Sequence, residues 1–220
     1  MSIRLTYEHE LGELNKDLKE MAHMVENAIG QTFAAFEDQD FAKAEDIIKG
    51  DRNINDMERA IESRCLSLIL RQQPVAGDLR QVSTALKVVT DLERIGDHAS
   101  DIAELILRIR TEHAYHIVKH LPAMAAAAQK MVREAIEAFI AQDLDAALEI
   151  IKEDDEVDAL FNQVKSEVIR LLKNSPDQAD QGIDLLMVAK YLERVGDHAV
   201  NVCEWTQFSM TGALKNVRIM

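Results

Sequence analysis

The chain has 220 residues and carries 25 Lys and Arg against 39 Asp and Glu, a formal charge of −14. Such a surface repels nucleic-acid phosphates and anionic lipid headgroups, so direct nucleic-acid binding is a poor reading and any membrane contact is expected only through protein partners. Hydrophobic residues make up 47% with only 8 Gly, 3 Pro and 5% aromatics, which argues for a packed helical core and against sheet or wholesale disorder.

Taken in chain order, the apolar period predicts six helices, at about 7–38, 40–72, 78–112, 121–142, 143–174 and 176–210. Asp40 is placed to N-cap the second. Leu66, Ile69 and Leu70 stand at i, i+3, i+4 and read as its apolar stripe, and Pro74 with Gly77 ends it. A weak boundary follows at 113–121, where His113, His116 and His120 read as exposed linker histidines. Asp143 is the expected N-cap of the fifth helix. Ser175-Pro176-Asp177-Gln178 has the form of a capping box with Pro at the first helical position, opening the sixth. Leu185, Val188, Ala189 and Leu192 form its stripe, and the tail from about 211 shows no strong pattern.

Short connections make sequential helices antiparallel, so the expected fold is all-α, with two tandem three-helix bundles over 1–114 and 115–220. The N-terminus MSIRLTYEHE has no apolar signal region, and no apolar run approaches the ~20 residues of a membrane span. Cys65 and Cys203 form no CxxC and read as reduced, half-buried thiols. The expected location is cytoplasmic.

The two bundles are copies. LERIGDHA (92–99) returns as LERVGDHA (192–199), FAKAEDIIKGD (41–51) resembles LDAALEIIKED (144–154), and AAFEDQD (34–40) resembles EAFIAQD (137–143). The matches fall in the same order, which marks one duplicated unit of roughly 100 residues.

On a helix, the repeated octapeptide sets carboxylates in a row. Glu93, Asp97, Asp101 and Glu104 are spaced by four, four and three, within an arc of about 80° at ~100° per residue. Their counterparts are Glu193, Asp197, Asn201 and Glu204. The preceding helix of each unit adds a facing pair, Asp51 with Asn55 and Asp154 with Asp158. Like charges at i, i+4 repel, so such rows call for a partner, either Arg or a cation. Carboxylates suit hard ions such as Mg²⁺, Mn²⁺, Ca²⁺ or iron, and a nearby His would admit zinc or Fe²⁺. The bland alternative is a solvated helix face with Arg94 and Arg194 in local ion pairs. Gly96 and Gly196 sit inside the rows and permit close approach of a helix or a ligand. His98 and His198 point about 100° away and need not be ligands.

Glu20-Met21-Ala22-His23 has the E-x-x-H spacing of di-iron carboxylate proteins, but a full site needs two such motifs and two further Glu, and only this one is present. No phosphate-loop, dinucleotide or nucleophile-elbow motif occurs. A non-enzyme is expected.

The doubled LER(I/V)GD segment, each copy preceded by an (E/D)D-x-x-(V/I)(D/N) helix, resembles the PhoU family, and RQQPVAGDLRQV (71–82) and NVCEW (201–205) fit it too. The likeness runs from about 7 to 210. It implies two similar three-helix bundles and a regulator of phosphate uptake that keeps the phosphate-starvation response off when phosphate is plentiful. Its implied partners are a sensor histidine kinase and the ATPase subunit of a high-affinity ABC phosphate transporter; a homodimer is also expected. Some members bind multinuclear iron or zinc clusters through E(D)-x-x-x-D motifs, one per bundle, and others are found without metal. By position the motif falls on Glu93 with Asp97 and Asp101, with Asp51 and Asn55 facing them, and on Glu193 with Asp197 and Asn201, faced by Asp154 and Asp158. Asn55 and Asn201 depart from the acidic pattern and weaken one position in each bundle. The alternative is a metal-cluster protein of carboxylate helical-bundle type with a sensing or storage role; an enzyme using a carboxylate-bridged metal is the third reading.

Overall fold

The computed structural model describes residues 3–109, 118–214 and 217–218. Among them six α-helices run as α1 Ile3–Asp38, α2 Phe41–Gln72, α3 Gly77–Arg108, α4 Leu121–Ala141, α5 Leu144–Asn174 and α6 Ala179–Thr211. Helices α1, α2 and α3 pack on one another, as do α4, α5 and α6, and the two bundles meet where α3 lies along α6 and α1 touches α4. The fold is thus the expected all-α pair of bundles. The 114/115 boundary, with His113 and His116, lies outside the described residues.

The two-residue turns between α1 and α2 and between α4 and α5 are built alike. Gln39 and Gln142 take left-handed backbone, φ 52° and 54°. The next amide then reaches back five residues, Asp40 N–H to Ala35 O and Asp143 N–H to Ala138 O, both at 2.9 Å. This is the Schellman closure of a helix end. The same Asp then caps the following helix: Asp40 Oδ1 accepts from Lys43 N–H and Asp143 Oδ1 from Ala146 N–H, each at 3.0 Å. One residue therefore closes one helix and opens the next, which folds the pair back antiparallel.

Several expectations need correction. The Ser175 side chain makes no capping bond; Pro176–Gln178 form a 3₁₀ turn and α6 starts at Ala179. Leu66 and Leu70 are not the buried stripe of α2, for they are 54% and 77% exposed. The buried line is Ala44, Ile47, Ile54, Ile61, Cys65 and Leu68. Its seven-residue repeat sets the face, and Leu66 and Leu70 stand two positions from Leu68, about 200° round the helix. Cys65 and Cys203 are fully buried rather than half-buried, and burial pushes both thiols up to about 12. His120 is no idle linker residue, because its Nδ1 lies 2.7 Å from Glu167 Oε1 on α5. The tail carries a small antiparallel pair, Ala213–Leu214 with Val217–Arg218.

The stripe of α6 lies as expected, with Leu185, Val188, Ala189 and Leu192 buried, and in the octapeptides Leu92, Ile95, Leu192 and Val195 are core.

Candidate carboxylate sites

In each bundle, antiparallel packing of the second helix on the third brings the two acidic sets face to face. In the first bundle Asn55 Nδ2 donates to Asp51 Oδ2 at 2.9 Å. The other oxygens of this pair, Asp51 Oδ1 and Asn55 Oδ1, are buried and without a hydrogen-bond partner. Burial raises the Asp51 carboxyl above its ordinary value, and the charges of Asp97 and Asp101 add to the shift. Glu93 is raised by burial, then by Asp97, Glu58 and Asp51, with Arg94 opposing. Arg94 bridges the row, 3.6 Å from Glu93 and 3.3 Å from Asp97. Asp101 is turned aside to His98 Nδ1, at 3.3 Å.

Glu58 is a member that sequence reasoning missed. Burial raises it, as do Glu62 and Asp97. The signal was present, since Asp51, Asn55 and Glu58 stand at i, i+4, i+7 on one helix face.

The second bundle is arranged differently. Burial, then Asp158, Asp197 and Asp155, push the Asp154 carboxyl up to about 6. Where the first bundle has Glu58 the second has Phe161, with the Lys190 ammonium 5.5 Å from its ring centre. The same Lys190 pairs with Glu193. One row is therefore balanced by Arg94 and the other by Lys190.

Both glycines admit the neighbouring helix, and Gly96 also lines, with Asp51, a cavity of about 180 Å³. A Cβ at Gly96 would lie 3.0 Å from Ile54 Cδ1, and one at Gly196 would lie 3.1 Å from Asp154 Oδ1 and 3.5 Å from Val157 Cγ1. Gly196 thus lets the Asp154 carboxylate reach α6.

Asn201 does not join its row. Its Nδ2 donates to Asp91 Oδ1 across the seam between the bundles, at 3.0 Å. His198 Nδ1 lies 2.8 Å from that oxygen, and Trp205 Nε1 donates to Asp91 Oδ2 at 3.2 Å. Tyr191, His198 and Trp205 recur every seven residues and so share one face of α6, a spacing that marks the face without naming Asp91 as its partner.

For a metal, the donor set has the right chemistry, with carboxylate and amide oxygens suited to hard cations and two of them, on Asp51 and Asn55, unpaired. The geometry is less closed. Among the described residues no group of three or more His, Cys, Asp or Glu side chains is gathered as a metal-binding set. As folded here, the rows are balanced by Arg94 and Lys190.

Similarity to known proteins bears on the fold that carries these rows. The PhoU domain family model matches twice, over 18–106 and 121–206. A Clostridium acetobutylicum protein called phosphate-specific transport system accessory protein PhoU homolog is 41% identical over 210 residues, 95% of this chain and 96% of that one. The Pseudomonas aeruginosa homolog of the same description is 33% identical, over 92% of this chain and 84% of its own. The crystal structure of PhoU from Pseudomonas aeruginosa superposes with a TM-score of 0.88 at 32% identity, covering 94% of this chain and all of that one. That of the phosphate transport system regulatory protein PhoU from Streptococcus pneumoniae gives 0.86 at 29%, covering 94% and 98%. With both bundles matched and relatives aligned over most of their length, the chain belongs to the PhoU family.

Proposed function

We propose that this protein is a cytoplasmic accessory regulator of a phosphate-specific transport system. It holds the phosphate-starvation response down when phosphate is plentiful, by acting as an adaptor between the transporter's ATPase subunit and a sensor histidine kinase. The observation that carries this reading is the double family match together with relatives described as accessory proteins of phosphate-specific transport. It is supported by the absence, among the described residues, of any helix long and apolar enough to cross a membrane. Contact with the membrane then runs through the protein partners, and phosphate status shifts a binding equilibrium with no chemical step assigned to this chain. Self-association as a homodimer belongs to the same reading. Deleting the gene in its native host tests it. Alkaline phosphatase and phosphate uptake should rise under phosphate excess; unchanged levels overturn the regulator reading. Co-purification with the ATPase subunit and the kinase tests the adaptor role, and regulation that survives loss of both contacts overturns that.

A second reading concerns the rows themselves. We infer that they bind divalent cations such as Mg²⁺, Mn²⁺, iron or zinc, with Asp51, Asn55, Glu93 and Asp97 as donors in one bundle and Asp154, Asp158, Glu193 and Asp197 in the other. The buried, unpaired oxygens of Asp51 and Asn55 favour it. Elemental analysis of protein purified without chelator, with melting of the parent and Asp97→Ala in the presence of Mn²⁺, decides the matter. No metal above background and no Asp97-dependent shift reject it.

A further inference from the structure

Polar groups tie the seam between α3 and α6 from mid-helix to the C-terminal end of α3. Near the middle of α3 lies Asp91, 9% exposed, with His198, Asn201 and Trp205 around its carboxylate. Two turns further along, the His98 ring lies 5.3 Å from that of Tyr191 and 5.7 Å from that of His198. At the end of α3 Arg108 Nη2 meets the buried Asp184 at 3.0 Å. A carboxylate buried in an apolar seam is costly unless its hydrogen bonds are complete. All three partners of Asp91 come from one face of α6, so they arrive together in one setting of α6 against α3 and fall away together in any other.

The opposite side of the junction is packed loosely. Helices α1 and α4 approach closely at Gly30, where a Cβ would lie 2.9 Å from Gln129 Nε2. Beyond that point they leave a cavity of about 300 Å³ floored by Ala22, Ile136 and Ile140, and where α3 and α6 join them another of about 70 Å³ lies beside Leu14, Phe139, Ala85 and Ser209.

We propose that Asp91 is the clasp of a hinge, with the α3–α6 seam as its axis and the α1–α4 face as the side that opens. The clasp also accounts for the amide at position 201. A carboxylate there would stand against that of Asp91, so the second row gives up one acid to the joint. This inference is independent of the regulator reading, because it concerns only the angle between the bundles of the free protein.

Pulsed electron-spin measurements on the whole chain test it. Nitroxides are placed on Lys19→Cys and Glu137→Cys, exposed positions beside the large cavity on α1 and α4. The native thiols Cys65 and Cys203 are buried and stay unlabelled. With Asp91 intact a single narrow distance distribution is expected. Asp91→Leu should broaden it and move it to longer distance, and should shift the emission of Trp205, the chain's one tryptophan, with far-ultraviolet helix content unchanged. Asn201→Asp should do the same, and adding Asp91→Asn to it should restore the narrow distribution. A distribution unchanged by Asp91→Leu, with the Trp205 emission altered, overturns the proposal, because the clasp would then be gone and the angle kept. Should Asp91→Leu fail to fold, Asn201→Leu and His198→Leu, which each remove one partner, face the same two outcomes.

Discussion

Asp154 concentrates the electrostatic cost of the second row. Its carboxyl is pushed up to about 6, first by burial and then by Asp158 and Asp197. An acid with a raised pKa holds its proton in the folded state at pH values where the unfolded chain has lost it. Its stabilising contribution is complete below the ordinary 3.8 and is lost as pH rises toward 6. Asp154→Asn should therefore raise the melting temperature at pH 7.5 and leave it nearly unchanged at pH 4, as thermal melts at the two values will show. The glycines give a second contrast. A Cβ at Gly96 runs into Ile54, whereas one at Gly12 meets nothing within 4 Å. Gly12→Ala should gain about 1 kcal/mol from helix propensity. Gly96→Ala should lose up to about 2 kcal/mol net, overpacking outweighing the same gain. Denaturant titration of the pair reads both signs.

At the scale of the helix, α2 shows how a reading of periodicity can select the wrong face. Leu66, Ile69 and Leu70 have helical spacing, but the longer line through Ile47, Ile54, Ile61 and Leu68 is the one that packs. Leu68→Ala should cost about 2–5 kcal/mol, while Leu70→Ser should stay within about 0.5 kcal/mol; urea unfolding checks both. The aspartate caps at 40 and 143 and the core residues of the octapeptides were legible, because each rests on contacts within one helix or between chain neighbours. Facing of Asp51 and Asp154 against α3 and α6 was legible too, since antiparallel neighbours follow from short connections. The Asp91 cluster was not. It depends on how α6 is rotated against a helix 100 residues earlier, and no spacing within either helix fixes that rotation. The same holds for Asn201, whose place in the row was given by alignment of the copies and whose side chain follows the seam instead.

For the molecule as a whole, the formal charge of −14 is spread over two bundles whose third helices carry acidic rows. Self-repulsion of this kind weakens the compact state and is screened by salt. Raising NaCl from about 0.02 to about 0.2 M, where the screening length falls to roughly 10 Å or less, should raise the melting temperature. Calorimetry at the two salt concentrations checks it, and a fall would mean that local pairs such as Arg64 with Asp17, at 2.7 Å, outweigh the net charge.

The pairing of the repeats across the seam carries one more consequence. His98 and His198, the same position of the two copies, still face one another. Asp91, by contrast, has Tyr191 as its twin, and Asn201 has Asp101. Two identical subunits meeting about a dyad must place every residue on both sides, so an acid near the axis would bring its own double with it. Joining the copies in one polypeptide lifts that constraint. One half can then supply the acceptor and the other the donors once, without the second copy of the contact that a dyad would impose.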